Sequence, residues 1–220
     1  MDTALVIGAS GGIGRALCAA VTARGMAVTG LGRAAGFDLR DAASVARVMG
    51  ALAGPFDLVL VATGVLAPAG GAPEKSLAAV EAGAMAEVMA VNAIGPALVL
   101  GHMARLLPRD RRAVVAVLSA RVGSIGDNRI GGWHSYRASK AALNQIVRGA
   151  AIEIGRTHRQ AVCVALHPGT VATSFTAGYA GRHPTVAPDE AATNLLAVLD
   201  GLTPAQSGGF YDYAGVVVPW

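Results

Sequence analysis

A tyrosine and a lysine stand four residues apart in the segment GGWHSYRASKAALNQ, residues 131–145. In a helix, Tyr136 and Lys140 would share one face, because residues four apart follow one another along the helix surface. Free tyrosine is a weak acid with a pKa of about 10, and a neighbouring ammonium group lowers that pKa by stabilising the tyrosinate. The pair therefore predicts a proton donor with its electrostatic partner, the alternative being an aromatic and a charged residue on a helix surface.

A glycine-rich segment, GASGGIG at residues 8–14, follows one apolar run and precedes another with helical spacing. Gly8 allows a tight turn, Gly12 lets the backbone approach a phosphate, and Gly14 lets the helix pack closely on the sheet. The N–H groups at the start of the helix would then face the phosphates of a dinucleotide. A glycine-rich turn without a ligand is the alternative, but strand, turn and helix follow in the order that dinucleotide binding requires.

The elements that must position these residues alternate along the chain. Strands are expected at residues 4–8, 26–32, 57–63, 113–119, 161–167 and 208–215, and helices at 12–24, 76–107 with a bend near Gly95-Pro96, 135–155 and 188–199. This order predicts a single α/β domain over residues 1–220, a Rossmann-type doubly wound parallel sheet. Residues 33–37 are too few for a crossover helix. We therefore expect the helix between strands two and three to be missing, with 37–39 an edge strand or extended loop.

Composition narrows the classes of function. Hydrophobic residues make up 53% and charged residues 15%, which argues against disorder. The net charge of +4 comes from dispersed arginines and only 5% of residues are aromatic, so we expect no nucleic-acid partner. Cys18 and Cys163 lie in no metal-ligand or disulfide pattern, so no metal is expected. Without a targeting signal, and with polar residues and a proline interrupting the apolar stretch 83–101, we expect a cytoplasmic protein with no membrane span.

The spacing G-x-x-x-G-x-G, followed by Y-x-x-x-K, resembles the short-chain dehydrogenase/reductase family. The lead-in to Tyr136 and the ending SGGFYDYAGVVVPW are similar to its C-factor/Sniffer-like carbonyl reductase subgroup, so the resemblance spans nearly the whole chain. It implies hydride transfer between a nicotinamide cofactor and a small aldehyde, ketone or alcohol. Tyr136 would act as general acid or base, and Tyr136 and Lys140 would both also contact the cofactor, Lys140 at the nicotinamide ribose. The family also implies a homo-oligomer, either a dimer or a tetramer.

The remaining catalytic positions are assigned by the same resemblance. Asn92 in VNAIGP matches a helix asparagine that holds a water of the proton relay, although a satisfied buried amide is the alternative. The serine of the subgroup falls on Ala120. Ser119, one residue earlier at the end of a strand, is our predicted catalytic serine, Ser124 is the second choice, and a site without such a serine is the third.

The end of the second strand bears on the choice of cofactor. Arg33 stands there, and a cation at this place accepts the 2′-phosphate of NADP(H). An exposed loop arginine is the alternative reading. We therefore predict NADP(H), with NAD(H) still possible. The resemblance places Asp38 near the adenine ring.

Further cofactor contacts follow from the resemblance. The tripeptide Ala62-Thr63-Gly64 stands where the family has Asn-Asn-Ala-Gly, and Pro168-Gly169 resembles the family's turn against the nicotinamide. Thr173 occupies a position whose hydroxyl contacts the cofactor. Residues 174–188 resemble a mobile substrate lid. The predicted cofactor contacts also include Ser10, Gly11, Ile13, Leu39, Thr170 and Val171.

A second class of function stays open at this point. C-factor is associated with signalling between cells, so the chain could instead be a signalling or regulatory protein that binds dinucleotide with little or no turnover. The displaced serine and the missing asparagines before Gly64 favour that alternative slightly. An epimerase or dehydratase would need a substrate domain for which 220 residues leave no room.

Overall fold

The computed structural model describes residues 1–176 and 185–220. Within them, parallel strands form a sheet in the order β2-β1-β3-β4-β5-β6. The strand order changes direction between β1 and β3, and the carboxyl ends of all strands lie at one edge. This confirms the predicted α/β class. The strands are β1 (Thr3–Ile7), β2 (Ala27–Leu31), β3 (Leu58–Val61), β4 (Ala113–Leu118), β5 (Ala161–His167) and β6 (Phe210–Asp212).

Helices cover both faces of the sheet. They are α1 (Gly12–Ala23), α2 (Ala42–Ala51), α3 (Ala82–Met89), α4 (Gly95–Leu100), α5 (Met103–Leu106), α6 (His134–Thr157) and α7 (Pro188–Gly201). Alternate strand residues point to opposite faces. Leu5 and Ile7 therefore enter one apolar core with α2, α4 and α6, while Ala4 and Val6 enter a second core with α1 and α7.

The expected absence of a helix between β2 and β3 is wrong, because α2 occupies that crossover. The prediction rested on residues 33–37 alone, whereas α2 is formed by residues that follow 37–39. Asp41 caps α2, its side chain accepting the Ala43 N–H at 2.9 Å, and Val45 and Met49 are buried four residues apart on one face. Residues 37–39 form an extended loop rather than an edge strand.

The predicted helix over 76–107 is divided at the place where its bend was expected. A π-helical turn, Ala90–Ile94, connects α3 to α4 and lies directly before Gly95-Pro96. Proline has no N–H and its ring crowds the preceding turn, so it disturbs the regular hydrogen-bond pattern there. The π turn carries Asn92 into the interior.

The stretch Ala82–Leu100 is long and apolar enough to cross a membrane by length and composition alone, with a mean hydropathy of 1.6. The sequence expectation that it falls short of a span therefore does not hold on those two criteria. In the structure this stretch packs against α6 and buries Val88, Asn92 and Val99. Packing within the protein accounts for part of its apolar character, since 39% of the stretch is buried.

Candidate active site

Tyr136 and Lys140 lie in the first two turns of α6, on one face, as the spacing predicts. Both are nearly inaccessible, at 6% and 3% exposure. The Lys140 Nζ donates a hydrogen bond to the Leu118 carbonyl at the end of β4, at 2.9 Å, and lies 6.0 Å from the centre of the Tyr136 ring. Gly123 leaves space for the lysine, because a Cβ there would stand 2.7 Å from the Lys140 Cβ. The end of β4 and the following turn thus fix the position of the ammonium group.

The charge states of this pair differ from the sequence expectation. Burial raises the pKa of Tyr136 above its usual value, whereas the sequence argument predicted a lowered one. Burial also lowers the pKa of Lys140 to about 7. The reason is that both groups lose contact with water, which disfavours the charged form of each. Tyr136 is therefore protonated at neutral pH, which is the form that can donate a proton.

Asn92 joins the end of β3 to α6. Its Oδ1 accepts the Val65 N–H at 2.8 Å, and its Nδ2 donates to the Val65 carbonyl at 2.8 Å and to the Ser139 Oγ at 3.0 Å. A Cβ on Gly64 would lie 3.4 Å from Asn92 Oδ1 and 3.5 Å from Lys140 Nζ, so this glycine sits against both. The Asn92 amide is satisfied by protein groups and holds residues 64 and 65 against α6.

The hydroxyl of Ser119, the predicted catalytic serine, bonds to Asn144 of α6 rather than to Tyr136, which lies earlier on the same helix. The Ser119 hydroxyl donates to the Asn144 Oδ1 at 2.6 Å, one turn beyond Lys140. Ser124, the second choice, accepts the Asp127 N–H at 3.1 Å. In residues 1–176 and 185–220, neither serine hydroxyl is bonded to the Tyr136 hydroxyl. Sequence reasoning missed Asn144, whose partner lies 25 positions earlier in the chain.

The glycine loop is packed so tightly that side chains would not fit. A Cβ on Gly14 would stand 2.0 Å from the Gly8 carbonyl oxygen, and one on Gly8, whose φ is +87°, would stand 2.6 Å from the Ala62 oxygen. A Cβ on Gly12 would meet the Thr173 side chain at 2.6 Å. The loop is thereby held between the end of β3 and the segment after β5.

The N-terminus of α1 is suited to an anion. Its N-cap, Gly11, makes no side-chain cap, and its first turn carries no acidic residue. The first N–H groups of a helix have no partner within it, and its dipole favours negative charge. Ser10 is exposed at this loop and Ile13 is partly buried. This end of the helix fits the pyrophosphate of a dinucleotide.

The segment after β2 presents both basic and acidic groups. Arg33 is exposed and forms no ion pair within the described residues. Ser10 lies beside the residue before it, because a Cβ added to Gly32 would stand 3.0 Å from the Ser10 Oγ. Asp38 is bound by Arg40, with Oδ2 2.7 Å from Nη2, and these hydrogen bonds lower the pKa of Asp38 to about 2. The sequence did not predict the contact between Arg40 and Asp38, although the two residues are only two positions apart.

Two buried polar atoms, at or just after the carboxyl ends of β3 and β5, have no hydrogen-bond partner among the described residues. They are the Thr63 Oγ1, after β3, and the His167 Nδ1, at the end of β5. Burial lowers the pKa of His167 to about 4, so its ring is neutral at pH 7. Pro168 follows it, and Gly169 has a φ of +78°. An unpaired buried polar atom costs free energy, so the Thr63 hydroxyl fits a position that a ligand atom completes.

The other predicted cofactor contacts lie in the segments that follow β2 and β5. Thr170 and Val171 pair with Val186 through main-chain contacts. Leu39 is buried against Gly95, whose added Cβ would stand 2.7 Å from the Leu39 Cβ. The predicted lid over 174–188 falls largely on residues 177–184, which lie outside the described residues. In the described parts of the chain, no cluster of three His, Cys, Asp or Glu side chains could hold a metal ion.

Residues 22–200 match a family model described as enoyl-(acyl carrier protein) reductase, and a relative in Neurospora crassa is named a short-chain dehydrogenase. The chain belongs to the short-chain dehydrogenase/reductase family. The matched region begins after the glycine loop, so the assignment of that loop depends on its own geometry. The match includes the helix that carries Tyr136 and Lys140.

Two curated relatives show different names within this family. C-signal of Myxococcus xanthus is 38% identical over 136 residues, which cover 62% of this chain and 78% of that protein. The 1-hydroxy-2-glutathionyl-2-methyl-3-butene dehydrogenase of Rhodococcus is 37% identical over 130 residues, which cover 59% of this chain and 56% of that protein. The match thus spans little more than half the length of the second relative.

Solved structures of the family share the whole fold. A short-chain dehydrogenase/reductase of Burkholderia multivorans with bound NADP has 27% identity and a TM-score of 0.81, over 100% of this chain and 99% of that chain. The carbonyl reductase Sniffer of Drosophila melanogaster has 19% identity and a TM-score of 0.80, over 100% of both chains. At 19% identity the likeness to Sniffer establishes the fold alone.

Proposed function

We propose that this protein is an NADP(H)-dependent reductase of small aldehydes or ketones. The observation that carries the proposal is the position of Gly64, which lies against both Asn92 and the buried Lys140 ammonium. Through this contact, Lys140 of α6 meets the segment that follows β3. The similar Burkholderia structure with bound NADP supports the choice of cofactor.

The residues at the carboxyl edge of the sheet fit such a cofactor from end to end. Exposed Arg33, with Ser10 nearby, would receive the 2′-phosphate, and the start of α1 would receive the pyrophosphate. Lys140 would hydrogen-bond the nicotinamide ribose, and Pro168-Gly169 would lie against the nicotinamide. The bound cofactor supplies the hydride that the carbonyl carbon accepts.

Tyr136 performs the proton transfer in this proposal. Its phenolic proton moves to the carbonyl oxygen, so that a C–H and an O–H bond form as the C=O double bond becomes single. The raised pKa of Tyr136 keeps this proton in place at neutral pH. The Ser119 proton is engaged by Asn144, so we assign Tyr136 alone as the donor to the carbonyl oxygen.

The test is a comparison of the wild-type protein with Tyr136→Phe, measured as carbonyl-dependent consumption of NADPH. We expect the variant to lose about 10²–10⁴-fold in kcat, which is the usual contribution of a general acid, and to lose far less in NADPH affinity. Equal rates for the two proteins would contradict the proposed role of Tyr136.

A signalling protein that binds NADPH without turnover is the second candidate. The similarity of this chain to C-signal and the hydrogen bond from Ser119 to Asn144 favour this candidate. Saturable NADPH binding by the wild type, without reduction of any carbonyl above the Tyr136→Phe background, would support this candidate instead. In either case we propose a homo-oligomer, because Ile94 of the π turn, Leu98 of α4 and Ile152 of α6 are exposed on neighbouring helices. A cytoplasmic location stays part of the proposal.

A further inference from the structure

The helix that carries Tyr136 is capped by a residue from a distant segment. Its own N-cap residue, Trp133, contributes no side-chain cap. Glu74 does so instead: its Oε2 accepts the Ser135 N–H at 3.2 Å, and its Oε1 accepts the Ser135 hydroxyl. A carboxylate at this end of a helix satisfies free N–H groups and complements the dipole. Glu74 thus anchors the residue directly before Tyr136.

Glu74 also holds the backbone of Trp133. The Trp133 N–H donates to the Glu74 carbonyl oxygen at 2.5 Å. Trp133 has φ +53° and ψ +42°, a left-handed conformation that is unfavourable for a bulky residue, and it follows two glycines with positive φ. Such a conformation persists only where surrounding contacts enforce it, and it is concentrated at functional sites.

The consequence of this conformation is an aromatic contact with Tyr136. The Trp133 ring lies edge-on to the Tyr136 ring, with centres 6.3 Å apart and planes at 68°. Phe175, from the segment after β5, approaches the same tyrosine with centres 6.0 Å apart and planes at 56°. Trp133 is partly exposed and Phe175 is 38% exposed, so both rings retain surface that can meet a ligand.

Among the described residues, two charged side chains at this end of α6 are engaged by protein groups. Glu74 is bonded to Ser135, and Arg137 donates to the carbonyl oxygens of Gly132 and Val122. A substrate with several hydroxyl groups would therefore lose hydration here without regaining it from these two side chains. An aryl group would instead pack edge-on or offset against the two rings.

We propose that Trp133 and Phe175 form an aromatic wall beside Tyr136, that Glu74 is its positioning residue, and that the substrates are aryl aldehydes and ketones. This inference rests on the proposed function, in which Tyr136 gives its proton to the carbonyl oxygen. The aryl ring lies against the wall while the carbonyl group meets the tyrosine hydroxyl.

The first test compares kcat/KM for benzaldehyde and for propanal, which is too small to cover the wall. We expect Trp133→Ala and Phe175→Ala each to lower the benzaldehyde-to-propanal ratio by about tenfold, the order expected for loss of an aromatic contact and its buried area. Trp220→Ala, the matched control at the other tryptophan, should leave the ratio unchanged. An unchanged ratio in both wall variants would overturn the proposal.

The second test separates positioning by Glu74 from a contribution to stability alone. We expect Glu74→Ala to lower both kcat and the benzaldehyde-to-propanal ratio, and Glu74→Gln to restore much of both, because an amide oxygen can still accept from Ser135. Glu81→Ala removes an exposed carboxylate that makes no side-chain cap, and should behave as wild type. A lower Tm for Glu74→Ala with an unchanged benzaldehyde-to-propanal ratio would show that Glu74 does not position the wall.

A binding measurement distinguishes failure of this inference from failure of the proposed function. The chain has two tryptophans, so Trp220→Phe leaves Trp133 as the sole tryptophan. We expect 4-nitrobenzaldehyde to quench its fluorescence saturably in the presence of NADP⁺, and Phe175→Ala to weaken that binding. Saturable quenching without any turnover would support the wall and contradict the reductase. Turnover with neither quenching nor a change in the ratio would contradict the wall alone.

Discussion

At the scale of single residues, burial determines the chemistry of the pair on α6. Lys140 has a carbonyl oxygen as its partner and no carboxylate ion pair among the described residues, so desolvation dominates and its pKa falls to about 7. Tyr136 responds in the opposite direction for the same reason. The types and spacing of the two residues were readable from the sequence. Their depth, which reversed the expected shift of the tyrosine, depends on packing against β4 and the turn after it.

The lowered pKa of Lys140 predicts a pH-dependent stability. Between pH 7 and its ordinary value of 10.5, the unfolded chain holds a proton on this lysine that the folded chain has released. The free energy of unfolding should therefore rise with pH in this window, by up to about 1.4 kcal/mol per pH unit from this group. Urea unfolding at pH 7 and pH 8.5 should show a smaller rise for Lys140→Met than for wild type. Equal rises would contradict the lowered pKa.

The position of Ser119 predicts a structural effect for its removal. Ser119→Ala leaves the buried Asn144 oxygen without its donor, which should cost about 1–3 kcal/mol of unfolding free energy. Because Tyr136 is the assigned proton donor, kcat should change by a smaller factor than the equilibrium constant of unfolding does. Ser124→Ala, at the second-choice serine, is measured for stability and kcat in the same way. A stable Ser119→Ala protein that has lost activity would return the catalytic role to Ser119.

At the scale of elements, the sequence predicted best where a segment is explained by its own residues. The apolar runs of β1, β3, β4 and β5 and the helical spacing of α1 and α6 were located to within a few residues. Helix α2 was missed because the residues after the loop at 37–39 were not considered. The π turn around Asn92 was not predicted, and neither was the cap from Glu74, because the cap joins residues 61 positions apart.

Helix α2 provides a direct test at this scale. Asp41→Ala removes the carboxylate that accepts the Ala43 N–H, and the protein should lose about 1 kcal/mol of unfolding free energy. Asp41→Asn keeps a capping oxygen and should lose much less. Urea unfolding measures both variants. The same stability for Asp41→Ala and wild type would show that α2 does not depend on this cap.

At the scale of the whole molecule, parallel strands bring distant segments to one edge of the sheet. Arg33 follows β2 and the glycine loop follows β1, while the segment carrying Gly64 and the catalytic pair lie toward β3 and β4. A cofactor lying along this edge would thus meet Arg33 at one end and Tyr136 at the other. The two ends should be separable by mutation.

We therefore expect Arg33→Ala to weaken NADPH binding by about tenfold or more, the usual range for a charge-assisted hydrogen bond, and to leave NADH binding nearly unchanged. Titration with both dinucleotides measures this difference. Arg159→Ala, at an exposed arginine next to the amino end of β5, is the matched control. Equal losses for NADPH and NADH would contradict the 2′-phosphate assignment.

The most direct measurement of the central claim follows hydride itself. The protein is incubated with benzaldehyde and NADPH that carries deuterium at the transferable position of nicotinamide C4, and the product is examined by mass spectrometry. The account predicts benzyl alcohol with one deuterium on the carbinol carbon, formed at least about 10²-fold more slowly by Tyr136→Phe. Unlabelled alcohol, or labelled alcohol formed equally fast by the variant, would contradict it.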